Sequence, residues 1–195
     1  MLSKWTLPEL PFEEALAHHD EGAAWVDLRS VDAYLDVHLP GALALLYEFG
    51  PGMASRARDC IPLGLPLMLL DADNADMTHA AASLKGKGFE VVGRVADGIN
   101  RWAEARSAPA STEILQGSSP QGAVLDVADP GARPGEGALS IPIERLWGRV
   151  GELAEHERVT IASGYGVRAA LAVGILERAA LQVVYWRSAP DRAGP

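Results

Sequence analysis

Residues Ala24-Trp25-Val26-Asp27-Leu28-Arg29-Ser30, followed by His38-Leu39-Pro40-Gly41-Ala42-Leu43, have a counterpart later in the chain. Ala123-Val124-Leu125-Asp126-Val127-Ala128-Asp129 is followed by Gly135-Glu136-Gly137-Ala138-Leu139. In both places a short apolar run ends on Asp, and Gly-Ala-Leu comes next. Asp27 to Gly41 is 14 positions and Asp126 to Gly137 is 11. A helix-like segment precedes each, Phe12–His19 in the first and Thr112–Leu115 in the second. The economical reading is an internal repeat of about 100 residues.

The intervening segments alternate in type. Trp25–Leu28, Pro66–Leu70, Glu90–Gly93, Val124–Val127, Val159–Ala162 and Gln182–Trp186 are short apolar runs suited to buried strands. Asp76–Gly86, Ile99–Ala105, Ile143–Ala154 and Val167–Ala180 are long enough for helices. In the last of these, Ala169, Val173 and Leu176 share a face, while Ala170 and Gly174 give a small-residue side for close packing. Strands separated by helices imply parallel sheets covered by helices. The expected fold is therefore α/β, twice, each copy a parallel sheet of four or five strands flanked by helices. Ser107–Ala110 marks the junction, giving domains over residues 1–108 and 109–195. The second is expected to be shortened, because the chain ends soon after Trp186.

Composition bounds the function. The 195 residues carry 17 basic and 26 acidic side chains, a formal charge of −9. That balance argues against nucleic acid and anionic membrane as partners. The single cysteine, Cys60, excludes an intrachain disulfide and a thiolate metal cluster. A cytoplasmic location is expected, with no leader peptide at the start and no apolar stretch, Ala169–Ile175 included, approaching a membrane span. Trp25, Trp102, Trp147 and Trp186 are expected as core or rim anchors. His18 and His19 point in different directions on a helix and are not expected to share a metal.

One loop is built for chemistry. After the strand ending at Ala162, Ser163-Gly164-Tyr165-Gly166-Val167-Arg168 leads into a small-residue helix. Two glycines let successive N–H groups point inward, and a helix N-terminus follows, together forming an anion-binding nest. Arg168 adds a planar fork of donors. The simpler alternative is a strand-to-helix turn in which Ser163 caps the helix. Gly164 through Ala169 also fits the Gly-x-Gly-x-x-Ala dinucleotide pattern. However, 26 residues follow Ala169 and the next strand leads into Arg187 instead of an acidic ribose partner, so no cofactor is expected.

Asp27-Leu-Arg-Ser30, His38-Leu-Pro-Gly-Ala42 and the strand–loop–helix around Ser163 together resemble the rhodanese-like sulfurtransferase family. Its members read Asp-x-Arg-Ser/Thr, Gly-His-Ile-Pro-Gly-Ala and an active loop Cys-x-x-Gly-x-Arg. Gly93 through Trp102 resembles the family's Gly-Gly-x-x-x-Trp closing helix, with Asp97 in place of one glycine. Gly137 through Ile143 resembles its Gly-Ala-x-x-Ile-Pro-x stretch. The layout is similar to the paired rhodanese modules that accompany some metallo-β-lactamase-type persulfide dioxygenases, without the metal-binding domain. The resemblance implies that Arg168 closes the active loop and that Ser163 stands where the nucleophilic cysteine would be. In the first copy the loop is Asp71-Ala-Asp-Asn-Ala-Asp76, with Asp71, Asp73, Asn74 and Asp76 but no cysteine, glycine or arginine.

Sulfur transfer through a persulfide needs a thiolate, and a serine hydroxyl cannot hold sulfane sulfur. The expectation is thus an inactive, non-catalytic binding or regulatory module. Its partners would be a sulfur-handling protein or a small oxyanion (sulfate, phosphate or thiosulfate) at Ser163–Arg168. The acidic first loop should repel anions and serve helix capping; it lacks the bidentate Glu and inner Gly of a calcium loop. The alternative is a thiosulfate or persulfide sulfurtransferase using Cys60, a possible reactive thiol with Arg56 and Arg58 nearby and Asp59 opposing them. Against it, Cys60 precedes a strand, whereas the family's cysteine follows one. Asp27 and Arg29 are expected to pair or cap locally.

Overall fold

A computed structural model describes residues 6–47, 52–116, 120, 122–128, 137–162 and 166–187. They fall into two compact units, Met1–Ser30 with Ala44–Pro109, and Val31–Leu43 with Ala110–Pro195. The early elements are α1 (Phe12–Asp20), β1 (Ala24–Asp27), α2 (Val31–Asp36), β2 (Leu43–Ala44) and α3 (Gly52–Cys60). Then come β3 (Leu67–Leu70), α4 (Met77–Gly86), β4 (Val91–Val95), α5 (Gly98–Ala105), β5 (Glu113–Leu115) and β6 (Ala123–Asp126). The remainder are β7 (Leu139–Ser140), α6 (Ile143–Arg149), β8 (Arg158–Ile161), α7 (Val167–Arg178) and β9 (Gln182–Trp186). No helix among the described residues is long and apolar enough to cross a membrane.

The first sheet has the order β2-β1-β3-β4, with β1–β3 and β3–β4 parallel. Every residue of β1 and β3 is buried, which is why these strands read as continuous apolar runs instead of alternating ones. Beyond β4, Glu9 adds one parallel bridge, with Leu10 N donating to Arg94 O and Arg94 N to Pro8 O, each at 2.8 Å. On one side of this sheet Phe12, Trp25 and Trp102 form an aromatic cluster, with His19 wedged 5.5 Å and 5.6 Å from the two indoles. His19 is thus a packing residue, and no group of three His, Cys, Asp or Glu among the described residues is placed to hold a metal.

The second sheet has the order β5-β9-β8-β6-β7, again parallel throughout. Written from the other edge it matches the first, with β7, β6, β8, β9 and β5 in the places of β2, β1, β3, β4 and Glu9. Asp27 O accepts from Leu45 N at 3.0 Å and Asp126 O from Ile141 N at 3.0 Å. Leu28 O accepts from Tyr47 N and Val127 O from Ile143 N, at 3.0 and 3.2 Å. Asp27 to Leu45 is 18 positions and Asp126 to Ile141 is 15, the same three-residue difference seen between the two Asp-to-Gly gaps.

Three expectations need correction. Thr112–Leu115 is not helical, because Glu113–Leu115 pairs with β9 as β5. Three residues cannot repay the cost of a helical nucleus, and a parallel neighbour decides the conformation. The helix expected over Ile143–Ala154 stops at Arg149 and continues as a 3-10 turn over Val150–Leu153, with Gly148 and Gly151 flanking the change. The helix expected to Ala180 ends at Arg178, and Ala180 turns the chain with φ of +60°. Four elements had no counterpart in the sequence reading, namely α2, β2, α3 and β7.

Helix α7 is buried on all sides from Ala169 to Leu176, where the sequence pattern suggested one apolar face. Its small side chains let neighbours approach on every side. At Gly174 a Cβ would lie 2.1 Å from the Ala42 carbonyl oxygen, so only glycine admits this crossing. Gly174→Ala is expected to lower the unfolding free energy by about 1–3 kcal/mol or more, as read from urea denaturation. Unchanged stability would show that α7 and Ala42 are not so closely packed.

Candidate functional site

A parallel sheet delivers its loops to the carboxyl ends of the strands, where ligands of α/β folds collect. Each unit here marks that end with a buried Asp. Asp27 is fully buried, and its Oδ1 accepts Arg29 N at 2.9 Å while the Arg29 guanidinium grips both oxygens at 2.6–3.2 Å. Asp126 Oδ1 accepts Ala128 N at 2.9 Å, the same turn with the arginine replaced by alanine.

The strand register aligns the two neighbouring loops. Val26 pairs with Leu69 and Leu125 with Ile161. The second residue after Leu69 is Asp71, and the second after Ile161 is Ser163. Ser163, Gly164 and Tyr165 lie outside the described residues. Gly166, Val167 and Arg168 are described and begin α7. Gly166 has φ of +150° and ψ of −173°, a conformation open essentially to glycine alone, with empty space where a Cβ would sit. No described side chain caps the helix. The Arg168 guanidinium lies 3.9 Å from Glu144 Oε1, both ends being more than a third exposed, so solvent weakens the pair. The cationic fork is shared with an acid instead of facing the loop alone.

In the first unit the loop after β3 is tied down by polar contacts, with Asp71 Oδ1 buried and without a hydrogen-bond partner among the described residues. Asp71 N donates to Val95 O at 3.0 Å, and Asp71 Oδ2 accepts from Arg94 Nη1 at 2.8 Å. Arg94 also binds the Glu9 carboxylate. Asn74 Nδ2 reaches Leu28 O at 3.3 Å. Asp76 caps α4 through His79 N at 2.9 Å, the capping role expected of this loop. The sequence of the loop contains no arginine, yet Arg94 enters it from β4. The one clue to that was a charged residue at a half-buried strand position.

Cys60 is the last residue of α3 and is buried, at 3% exposure. Helix α3 returns the chain from β2 toward the amino end of β3, and Cys60 stands seven positions before Leu67. In chain order the thiol thus precedes β3, whereas Asp71 follows it.

A further polar cluster lies within the second unit. His38 is fully buried, its Nδ1 2.7 Å from Tyr34 O and its Nε2 3.0 and 3.1 Å from the Glu177 oxygens. A carbonyl only accepts, so Nδ1 carries a proton. Glu177 Oε2 also accepts Gly41 N at 2.9 Å, and Tyr34 OH donates to Ala42 O at 2.7 Å. The His-Leu-Pro-Gly-Ala stretch is thus a turn clamped to the end of α7, enclosed and without room for a substrate at His38. Nearby, the Arg178 guanidinium lies 5.8 Å from the Trp147 ring centroid, and burial pulls it below its ordinary pKa.

No known family profile and no curated protein matches the chain. Among solved structures it is similar to a thiosulfate sulfurtransferase from Pseudomonas aeruginosa, at 18% identity and a TM-score of 0.40 over 95% of this chain. The chain spans 44% of that enzyme's length. It is similar to the Alr3790 protein from Anabaena sp. at 20% identity and a TM-score of 0.41, covering 50% of this chain and 79% of that one. It is also similar to SseA from Escherichia coli, described among 3-mercaptopyruvate sulfotransferases of the rhodanese fold, at 16% identity and a TM-score of 0.41. That match covers 96% of this chain and all of the other.

The clamp is testable on its own. In a double-mutant cycle of His38→Ala and Glu177→Ala, the coupling energy is expected at about 1–3 kcal/mol. A coupling near zero would show that the imidazole and carboxylate do not act as a pair.

Proposed function

We propose that the chain comprises two rhodanese-like domains, about residues 1–108 and 109–195, that act as a non-catalytic binding or regulatory module in sulfur metabolism. The motifs around Asp27, His38 and Gly137 support the family. The matching strand orders and the repeated Asp turn support two copies of one ancestral domain. A persulfide mechanism requires a thiolate to displace sulfite from thiosulfate, hold the sulfane sulfur as Cys–S–S⁻ and release it to an acceptor. The observation that carries the reading is that Cys60 is buried as the last residue of α3, before β3, while the residue that follows β3 at its carboxyl end is Asp71.

Asp71 is already engaged by Arg94, so the first loop offers an anion a paired carboxylate in place of a nest. The second loop keeps its glycines, and no described side chain caps the helix that follows; it is the loop to which we assign sulfate, phosphate or thiosulfate binding.

The chain is expected to form no thiocyanate from thiosulfate and cyanide, and Cys60→Ser to behave like the parent. Robust thiocyanate formation that disappears in Cys60→Ser would replace this reading with a sulfurtransferase using the buried thiol. Ser163→Cys is expected to acquire persulfide on incubation with thiosulfate, read by intact-mass spectrometry. For the loop, sulfate or phosphate at 100 times its dissociation constant should add about 2.7 kcal/mol of stability. That gain should fall in Arg168→Ala, and a thermal midpoint indifferent to both anions would remove the oxyanion role.

A further inference from the structure

We propose that the open edge of β5 is a docking site for an extended peptide segment carrying a lysine or arginine. The site lies wholly within the second unit, where α2 and β5 flank an open cavity of about 670 Å³. Its lining includes Asp32, Leu35, Asp36, Thr112, Ile114 and Arg187.

The backbone makes the first part of the case. In a parallel pair the N–H and C=O of one residue face the same neighbour, and successive residues alternate sides. Leu115 O accepts from Arg187 N at 3.1 Å, so Leu115 and Glu113 face β9, the inner neighbour. Ala110, Thr112 and Ile114 therefore face outward. The first two are already covered. Ala110 exchanges both hydrogen bonds with His38 at 2.8 and 2.9 Å, and Thr112 N donates to Leu35 O at 2.9 Å. The cover ends there. Ile114 is next in line on β5, an edge strand among the described residues, and it lines the groove; by the same alternation its N–H and C=O face away from β9. An unpaired edge of this kind is a template for one more strand.

The side chains select the occupant. Arg187 Nη2 lies 3.0 Å from Asp32 Oδ1, so these two charges offset each other. Asp36, one turn along α2, is exposed and has no ion-pair partner among the described residues. It leaves the rim net negative, as is the chain at −9. Backbone pairing at Ile114 thus supplies the affinity and Asp36 supplies the preference for a cationic side chain.

The inference gives the binding-module reading a partner chemistry. It does not involve sulfur transfer, so its failure leaves the thiocyanate result untouched. The probe is the acetylated and amidated pentapeptide Thr-Val-Lys-Val-Thr, titrated against the full chain with backbone amide NMR and calorimetry. The Ile114 amide is expected to shift and to gain exchange protection. A peptide with Glu in place of Lys should bind at least about tenfold more weakly, and backbone N-methylation should abolish binding. Asp36→Lys, at an exposed position, should lower affinity at least about tenfold while leaving the thermal midpoint unchanged. No binding at millimolar peptide, equal binding of the Lys and Glu peptides, or binding that survives Asp36→Lys with Ile114 unmoved would each overturn the proposal. Concentration-dependent self-association through β5 would overturn the assigned occupant in favour of a second copy of this chain.

Discussion

Burying a carboxylate costs several kcal/mol unless donors replace the lost water. Both units accept that cost at the same place, the end of β1 and of β6, each the strand beside an edge strand of its sheet. Asp27 and Asp126 each take the N–H two residues on, while their own carbonyls hold the neighbouring edge strand. A side chain that satisfies the turn and a carbonyl that satisfies the sheet fix where the strand stops. Every loop at that edge is positioned by this stop. The Arg29 clamp in the first unit is an addition to the turn, not its cause, since the second unit makes the same turn with Ala128.

The strands were legible because burial on both faces writes itself as a continuous apolar run, as in Ala24–Val26 and Leu67–Leu70. The paired Asp turns were legible because that turn needs the residue type. β5 was not, because three residues carry no periodicity and their conformation is decided by β9, some 70 positions away. Nor was the membership of Val31–Leu43 in the second unit, since no local pattern announces that Tyr34 will close on Ala42 beneath Gly174. The His38–Glu177 clamp spans 139 positions, and only the fold brings it together. The glycines of the second loop were visible in the sequence, but the acid facing Arg168 was not, because Glu144 belongs to another helix.

The first loop differs from an anion cradle in the charge it presents. A cradle needs N–H groups converging on open space. Here the loop presents the Asp71 carboxylate, and Arg94 from β4 pairs with it and with Glu9. An incoming anion would have to compete with two carboxylates for one guanidinium. Placing a cysteine at position 71 would leave Arg94 and Glu9 paired, and the loop would still lack glycine. The second loop carries no such substitution in its sequence, and this asymmetry is why oxyanion binding is assigned to one copy only.

An open strand edge is ordinarily a hazard, because identical chains can pair through it. The edge at Ile114 is short, and the hydrogen bonds to His38 and Leu35 cover Ala110 and the Thr112 N–H just before it. The acidic rim adds a second safeguard. Two copies meeting edge to edge would bring Asp36 toward its own counterpart, whereas a cationic segment meets it with opposite charge. The same carboxylate therefore disfavours self-association and favours a basic partner, so one exposed residue performs both parts of the discrimination.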